Sequence, residues 1–106
     1  MTLEEVLDDA AASSSIPVEA EALDDGAVGW AVGQRLVATM DDGARAVTFR
    51  LDPVLAGAAL RTPDVTPSSR GPEWVTFRPA VLDDHAIDRA EAWFAAAVRR
   101  GARGSA

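Results

Sequence analysis

The sequence of 106 residues contains no cysteine, no tyrosine, no lysine and a single histidine. Without cysteine it forms no disulfide, offers no thiolate nucleophile and holds no zinc or iron–sulfur centre through sulfur. It also lacks the roughly 20 consecutive apolar residues that a spanning helix requires, and its first residues are acidic where a secretory signal is basic. We therefore expect a cytoplasmic protein with no membrane partner.

Charge is distributed unevenly along the chain. The acidic residues number 17 against 10 arginines, and the formal net charge is -7 at pH 7. Residues 1–25 carry much of this acid and no base, whereas residues 26–106 are close to neutral. The hydrophobic fraction of 48% is typical of a globular protein, and the length fits one domain. We predict a single domain over residues 1–106 that begins with an acidic helical segment over residues 1–25.

Local patterns in the first half predict a helix followed by a three-stranded meander. Thr2 and Glu5 have the spacing of a capping box, and the helix that they begin is predicted to end before Pro17. Residues 18–25 are ambiguous. After them, β-prone runs alternate with glycine-containing turns, which favours antiparallel strands. The predicted strands are residues 29–32, 35–40 and 45–51.

The next segment predicts a helix, a loop and a fourth strand. Asp52 followed by proline is typical of a helix start, and this helix is expected to extend to about residue 60. Residues 62–73 contain three prolines and a glycine, so they are predicted to form a loop. Residues 74–78 are predicted to form the fourth strand.

The clearest element is the last helix, which completes the predicted fold. Asp83 is its predicted cap and Gly101 its predicted stop, so residues 101–106 are expected to be a disordered tail. The order of elements predicts an α+β fold with two layers. In it, an antiparallel sheet of about four strands carries the N-terminal, middle and C-terminal helices on one face.

The tetrapeptide Val-Thr-Phe-Arg occurs twice, ending at Arg50 in the third predicted strand and at Arg78 in the fourth. Because alternate residues of a strand face opposite sides, its valines and phenylalanines are predicted to face the helices. Arginine pairs with phosphate or carboxylate through two N–H groups, and tryptophan stacks on flat rings, so the opposite face is a candidate surface for an anionic partner or a protein. An ordinary solvated face is the alternative. The residues predicted for that face are Arg35, Thr39, Thr48, Arg50, Trp74, Thr76 and Arg78.

Longer segments around this repeat follow a recognisable order. The first are Trp30-Ala31-Val32-Gly33-Gln34-Arg35-Leu36-Val37-Ala38, Asp42-Gly43 and Thr48-Phe49-Arg50-Leu51-Asp52. They are followed by Thr66-Pro67, Arg70-Gly71, the strand that begins at Trp74 and the helix after Leu82-Asp83. In this order the segments resemble the MmcQ/YjbR family over nearly the whole chain.

The resemblance implies a fold like that of the bacterial frataxin CyaY. It implies a biochemical role that is mostly unassigned, with DNA binding through a double-wing arrangement proposed for the family. Here Gln34-Arg35 stands where the family has Gly-Lys, and the chain has no lysine and an excess of acid, which disfavours duplex DNA. We therefore expect a small non-enzymatic binding domain of this type, either monomer or homodimer. Nucleic-acid binding through the Arg/Trp sheet face is the alternative.

No residue pattern predicts catalysis, a metal or a cofactor. Glu4 and Asp8 crowd one face of the first helix, but carboxylates on one exposed face give no closed coordination shell for a hard cation. His85 is predicted to lie exposed at the start of the last helix, with no nucleophile nearby in the sequence. The segments Asp24-Asp25-Gly26 and Asp41-Asp42-Gly43 lack the alternating acids of a calcium loop and are interpreted as turns.

Overall fold

A computed structural model of the chain describes residues 1–23, 26–41, 43 and 45–103. Within these residues the fold is α+β, with helices on one side of an open antiparallel sheet. The helices are α1 (Leu3–Ser13), α2 (Pro53–Ala59) and α3 (Asp84–Arg103). The strands are β1 (Glu19–Ala22), β2 (Val28–Val32), β3 (Arg35–Asp41), β4 (Ala46–Arg50), β5 (Val65–Ser68) and β6 (Gly71–Phe77).

Each helix begins where a side-chain oxygen satisfies a free backbone N–H group. In α1 the Glu5 N–H donates to Thr2 Oγ1 at 3.2 Å, and the Thr2 N–H donates to Glu5 Oε1 at 2.8 Å, which confirms the predicted capping box. Asp52 accepts from the Leu55 N–H at 2.9 Å at the start of α2, and Pro53 takes the first helical position. Asp83 accepts a hydrogen bond from the Ala86 N–H at 2.9 Å at the start of α3.

The sheet has six strands in the order β1-β2-β3-β4-β6-β5, so the prediction of about four strands is wrong. The predicted meander is present as β2, β3 and β4, and β6 begins three residues before the predicted fourth strand. The two additional strands lie at the edges of the sheet. Strand β1 occupies the ambiguous acidic segment, and β5 occupies part of the predicted loop.

Strand β5 forms despite its proline, because it pairs with a neighbouring strand on one side alone. Pro67 lies opposite Val75 of β6 and has no N–H to donate, which an edge strand tolerates. Strand β1 has the sequence Glu-Ala-Glu-Ala, without a large apolar side chain, and all four of its residues are exposed. Edge strands are held mainly by backbone pairing, so neither segment shows the pattern of a buried strand.

The hydrophobic core lies between the sheet and the helices. Trp30 packs edge-on against Phe94 of α3, with ring centroids 6.0 Å apart, and Phe77 packs edge-on against Trp93 at 5.2 Å. Phe49 lies 6.3 Å from Trp93. The buried residues of α1 and α2 join the same core, as predicted for helices on one face.

Gly101 does not end α3, which continues to Arg103, so both the predicted stop and the start of the predicted tail are wrong. At Gly101 the helix approaches the sheet so closely that an added Cβ would lie 2.6 Å from Val37 Cγ1. The glycine is therefore needed for packing rather than for termination. The rest of the predicted tail, residues 104–106, lies outside the described residues.

The two predicted Asp-Asp-Gly turns fall partly outside the described residues, at Asp24, Asp25 and Asp42. Gly26 and Gly43 have φ values of 84° and 61°, a left-handed conformation that glycine adopts without strain. Among the described residues, no helix is both long enough and apolar enough to cross a membrane.

Candidate functional site

The sheet face opposite the helices carries a row of threonines. Thr39, Thr48 and Thr76 are successive cross-strand partners on β3, β4 and β6, and Thr66 of β5 extends the row to the edge. Directly opposed residues of an antiparallel sheet project to the same side. We call this side the open face, because the buried residues of all three helices pack on the other one. Thr39 and Thr48 themselves are buried, whereas Thr66 is exposed.

The centre of the open face is joined by hydrogen bonds to one carboxylate. Thr48 Oγ1 donates to Asp41 Oδ2 at 2.5 Å, and Thr39 Oγ1 donates to Asp41 Oδ1 at 3.4 Å. Thr48 and Thr76 Oγ1 atoms lie 2.9 Å apart. Since Thr48 uses its hydroxyl proton on the carboxylate, Thr76 is the donor in that pair. The hydroxyl groups of Thr48 and Thr76 are thus held in fixed orientations by the protein itself.

The next row of the open face pairs Arg50 with Trp74. Trp74 is half-buried, and the guanidinium of Arg70 lies 5.5 Å from its ring centroid, within the range of a cation–π contact. Arg50 Nη2 lies 3.4 Å from Glu73 Oε2, and Arg50 Nε is buried with no hydrogen-bond partner. An aromatic ring and two arginines therefore lie at one end of the open face.

Glu73 binds two arginines from different elements. Besides Arg50 it accepts a hydrogen bond from Nη2 of Arg100 in α3, at 2.5 Å. Arg100 Nη1 also donates to the carbonyl oxygen of Leu51, beyond the end of β4. The hydrogen bond from Arg100, followed by the contacts with Arg50, holds the pKa of Glu73 below its ordinary value. This network fastens the end of α3 to the end of the sheet.

The prediction for Arg35 is wrong: it does not share the open face. Trp30 pairs with Ala38 but Ala31 pairs with Leu36, so Val37 is an extra residue in a β-bulge. The extra residue reverses the alternation of β3 before Ala38. Arg35 consequently lies near α3, where it lines a cavity together with Ala97, Arg100 and Gly101.

Because of the bulge, Leu36 lies on the open face, whereas regular alternation along β3 would place it on the side of the helices. Its Cδ1 atom lies 2.7 Å from the position that a Cβ on Gly29 would occupy, and Gly29 is the cross-strand partner of Thr39. The β2–β3 half of the open face therefore carries an apolar side chain near the threonine row rather than the predicted cation.

Arg78 lies at the opposite end of the sheet from Arg50. The two identical tetrapeptides run antiparallel, so Thr48 meets Thr76 while Arg50 meets Trp74. Arg78 follows Trp74 by four residues, about 13 Å along an extended strand. It is exposed and lines a cleft with Thr2, Arg45 and Pro79. The structure thus brings Thr48, Thr76, Arg50 and Trp74 together and leaves Arg78 apart.

The open face carries charges of both signs. Arg50 and Arg70 lie at its β4–β6 end, whereas Asp41 lies at its centre and Glu21, the partner of Gly29, at its β1 edge. Sequence reasoning did not identify Arg70, Glu73, Asp41 or Arg100 as parts of this region. Arg70 and Glu73 lay within the predicted loop, and Asp41 was assigned to a turn, so no local pattern indicated their contacts.

The described part of the chain contains no group of three or more histidine, cysteine, aspartate or glutamate residues placed to hold a metal ion. His85 is exposed in the first turn of α3. Ser13 to Ser15 instead line a groove against the C-terminal half of α3, with Phe94 and Arg99. His85 precedes Phe94 by nine residues, about 13 Å along a helix, so it is not adjacent to these hydroxyl groups.

No protein-family model matches the chain, and no curated protein is similar to it in sequence.

Proposed function

We propose that this chain is a small non-enzymatic binding domain of the MmcQ/YjbR type, which uses the Arg50–Trp74 end of its open face to bind an anionic partner. The observation that supports this most directly is the half-buried Trp74 ring, stacked by Arg70 and paired across strands with Arg50. A ring of this kind offers a flat apolar surface beside cationic groups, which suits a partner that combines a planar group with negative charge.

The chemistry of the open face favours binding over catalysis. The hydroxyl of Thr48 is committed to Asp41 and that of Thr76 to Thr48, so neither is paired with a base that would activate it. Thr48 is also buried, so its hydroxyl stabilises the face from within rather than contacting a partner. Recognition therefore falls to the more exposed arginines and tryptophan at one end of the face.

Charge defines which part of the face is used. Glu19 and Glu21 on the exposed β1 edge repel an anionic partner, whereas Arg50 and Arg70 attract it. We therefore place the partner over β4, β6 and β5. Its anionic part is short, because Arg78 lies about 13 Å along the sheet from Trp74.

A single-stranded nucleic acid is the second candidate partner, since Trp74 offers a ring on which a base stacks. Base stacking on an aromatic side chain contributes about 1–3 kcal/mol. Duplex DNA is less compatible with this surface, because its affinity depends on many phosphate contacts and the chain has a net charge of -7.

The test measures the fluorescence anisotropy of two labelled probes at low salt: a 12-nucleotide oligothymidylate and a peptide of 12 glutamates. We expect saturable binding of at least one probe. Replacement Arg70→Gln is expected to weaken it by about tenfold, the equivalent of about 1.4 kcal/mol. Trp74→Ala is expected to weaken binding of the nucleotide probe more than binding of the peptide, because the peptide has no ring to stack on the tryptophan.

The matched control is Arg61→Gln, which removes the same charge from an exposed position after α2. It is expected to leave binding of both probes unchanged. Equal losses from Arg61→Gln and Arg70→Gln would mean that net charge alone attracts the probes. The proposal is also contradicted if neither probe binds.

Light scattering in parallel measures whether the chain is a monomer or a homodimer. A homodimer that persists when Trp74 is replaced would exclude this face as the dimer contact.

A further inference from the structure

A second group of arginines lines a small cavity at the end of the sheet, beside the C-terminal end of α3. Three elements contribute to its walls: Arg35 from β3, Arg50 from β4, and Arg100 with Gly101 from α3. The remaining lining residues are apolar, and the described lining contains no acid. The cavity volume is about 40 Å³, which is room for a group the size of a few water molecules.

Two of the arginines at this cavity bind the same acid. Arg50 and Arg100 share one carboxylate, that of Glu73, so two guanidinium groups face a single negative charge. The contact between Arg50 and Glu73 is long at 3.4 Å, and Arg50 Nε is buried without a hydrogen-bond partner. A buried donor without a partner is costly, and an anion whose oxygen accepts a hydrogen bond from Arg50 Nε would remove that cost.

The arrangement suits tetrahedral oxygens better than a planar carboxylate. One arginine alone satisfies both oxygens of a carboxylate through its two parallel N–H groups. Here the three arginines belong to three elements, the start of β3, the end of β4 and α3, instead of forming the fork of one side chain. A phosphate group has oxygens to meet all three.

We propose that this cavity is a binding site for a phosphate group, held by Arg35, Arg50 and Arg100. Arg35 and Gly101 also line a neighbouring shallow cleft with Gly33, Gln34 and Ala102, where the organic part of a phosphate ester would lie. This site goes beyond the binding surface proposed above: it shares Arg50 with that surface, whereas Arg35 and Arg100 are not part of the open face.

The experiment titrates the full chain with sodium phosphate and follows backbone amide shifts by nuclear magnetic resonance at constant ionic strength. We expect saturable shifts at Arg35, Val37 and Gly101. Arg35→Gln is expected to weaken phosphate binding by about tenfold, because one charge-assisted contact is lost. Arg99→Gln is the matched control: it removes the same charge from an exposed neighbour on α3 and is expected to leave the affinity unchanged.

Two further titrations identify the source of the phosphate group. Phenyl phosphate binding at least as tightly as inorganic phosphate indicates an ester, whereas binding of the inorganic ion alone indicates free phosphate. Acetate binding as tightly as phosphate would overturn the preference for tetrahedral oxygens. The absence of saturable shifts, or equal weakening by Arg35→Gln and Arg99→Gln, would overturn the site itself. Because Trp74→Ala leaves the cavity walls intact, it is expected to preserve phosphate binding even if it abolishes binding at the open face.

Discussion

The replacement Gly101→Ala sets two effects against each other, and the structure decides their balance. Inside a helix, alanine is more favourable than glycine by about 1 kcal/mol. Here, however, the new Cβ would lie 2.6 Å from Val37 Cγ1 and 3.4 Å from Val32 Cβ. Overpacking of this kind costs about 1–3 kcal/mol. Valine is stiff at χ1, so Val37 cannot turn away easily. We expect a net loss of about 1 kcal/mol in the free energy of unfolding.

The matched control is Gly57→Ala in α2, where an added Cβ meets no atom within 4 Å. There the helical preference acts alone, and we expect a gain of about 0.5–1 kcal/mol. Urea denaturation, followed by the fluorescence of the buried tryptophans, measures both variants. For a domain of this size, 1 kcal/mol corresponds to a shift of about 4–8 °C in Tm. A stabilised Gly101→Ala variant would refute the reasoning about close packing.

A double-mutant cycle tests the named contact itself. Val37→Ala removes the methyl groups that the new Cβ would meet, so Gly101→Ala added to that background is expected to stabilise the protein or leave it unchanged. If Gly101→Ala costs the same with and without Val37, the loss comes from another part of the helix and not from this contact.

Two more predictions concern the hydrogen-bond and ion-pair networks. Thr48→Val removes the hydroxyl that donates to Asp41, and urea denaturation is expected to show a loss of about 1–2 kcal/mol in the free energy of unfolding. Thr66→Val, at the exposed end of the threonine row, is the control and is expected to change that free energy by less than about 0.5 kcal/mol. Equal effects of the two replacements would contradict the role of the network. Because the folded state lowers the pKa of Glu73, its contribution to stability is complete at neutral pH and is lost as the pH falls through the lowered pKa. The stability difference between the wild type and Glu73→Gln, measured by thermal unfolding from pH 7 to pH 3, is therefore expected to shrink with falling pH, and a constant difference would disprove the linkage.

The parts of the fold that could be predicted are those with local causes. A cap such as Asp52 or Asp83 acts within three residues, so the start of a helix can be read directly from the sequence. The meander was predictable for the same reason, since its strands are buried and its turns carry glycine. The ends of helices were less predictable: Gly101 has the form of a stop but is small because of its packing against Val37.

Arg35 shows why the face of a sheet on which a side chain lies cannot be predicted from alternation where the register is irregular. One extra residue at Val37 is enough to reverse every side chain before it in β3. Nothing in the alternation of residues 35–40 marks the bulge, because Leu36 and Val37 are both apolar. The position of Arg35 therefore depends on tertiary contacts, above all on the close approach of α3 to Val37.

The repeated tetrapeptide illustrates a more general limit. Two copies of one sequence on adjacent antiparallel strands can align at one position, and here that position is the threonine. Because the two strands run in opposite directions, residues at the same position of the two copies move apart on either side of the threonine. The two arginines, each two positions after its threonine, therefore lie at opposite ends of the strand pair. The charge that remains beside Trp74 comes instead from Arg50 and from Arg70, which belongs to neither copy. Strand direction thus divides a surface inferred from repeated residues, and the cationic end of that surface includes Arg70, which the repeat does not contain.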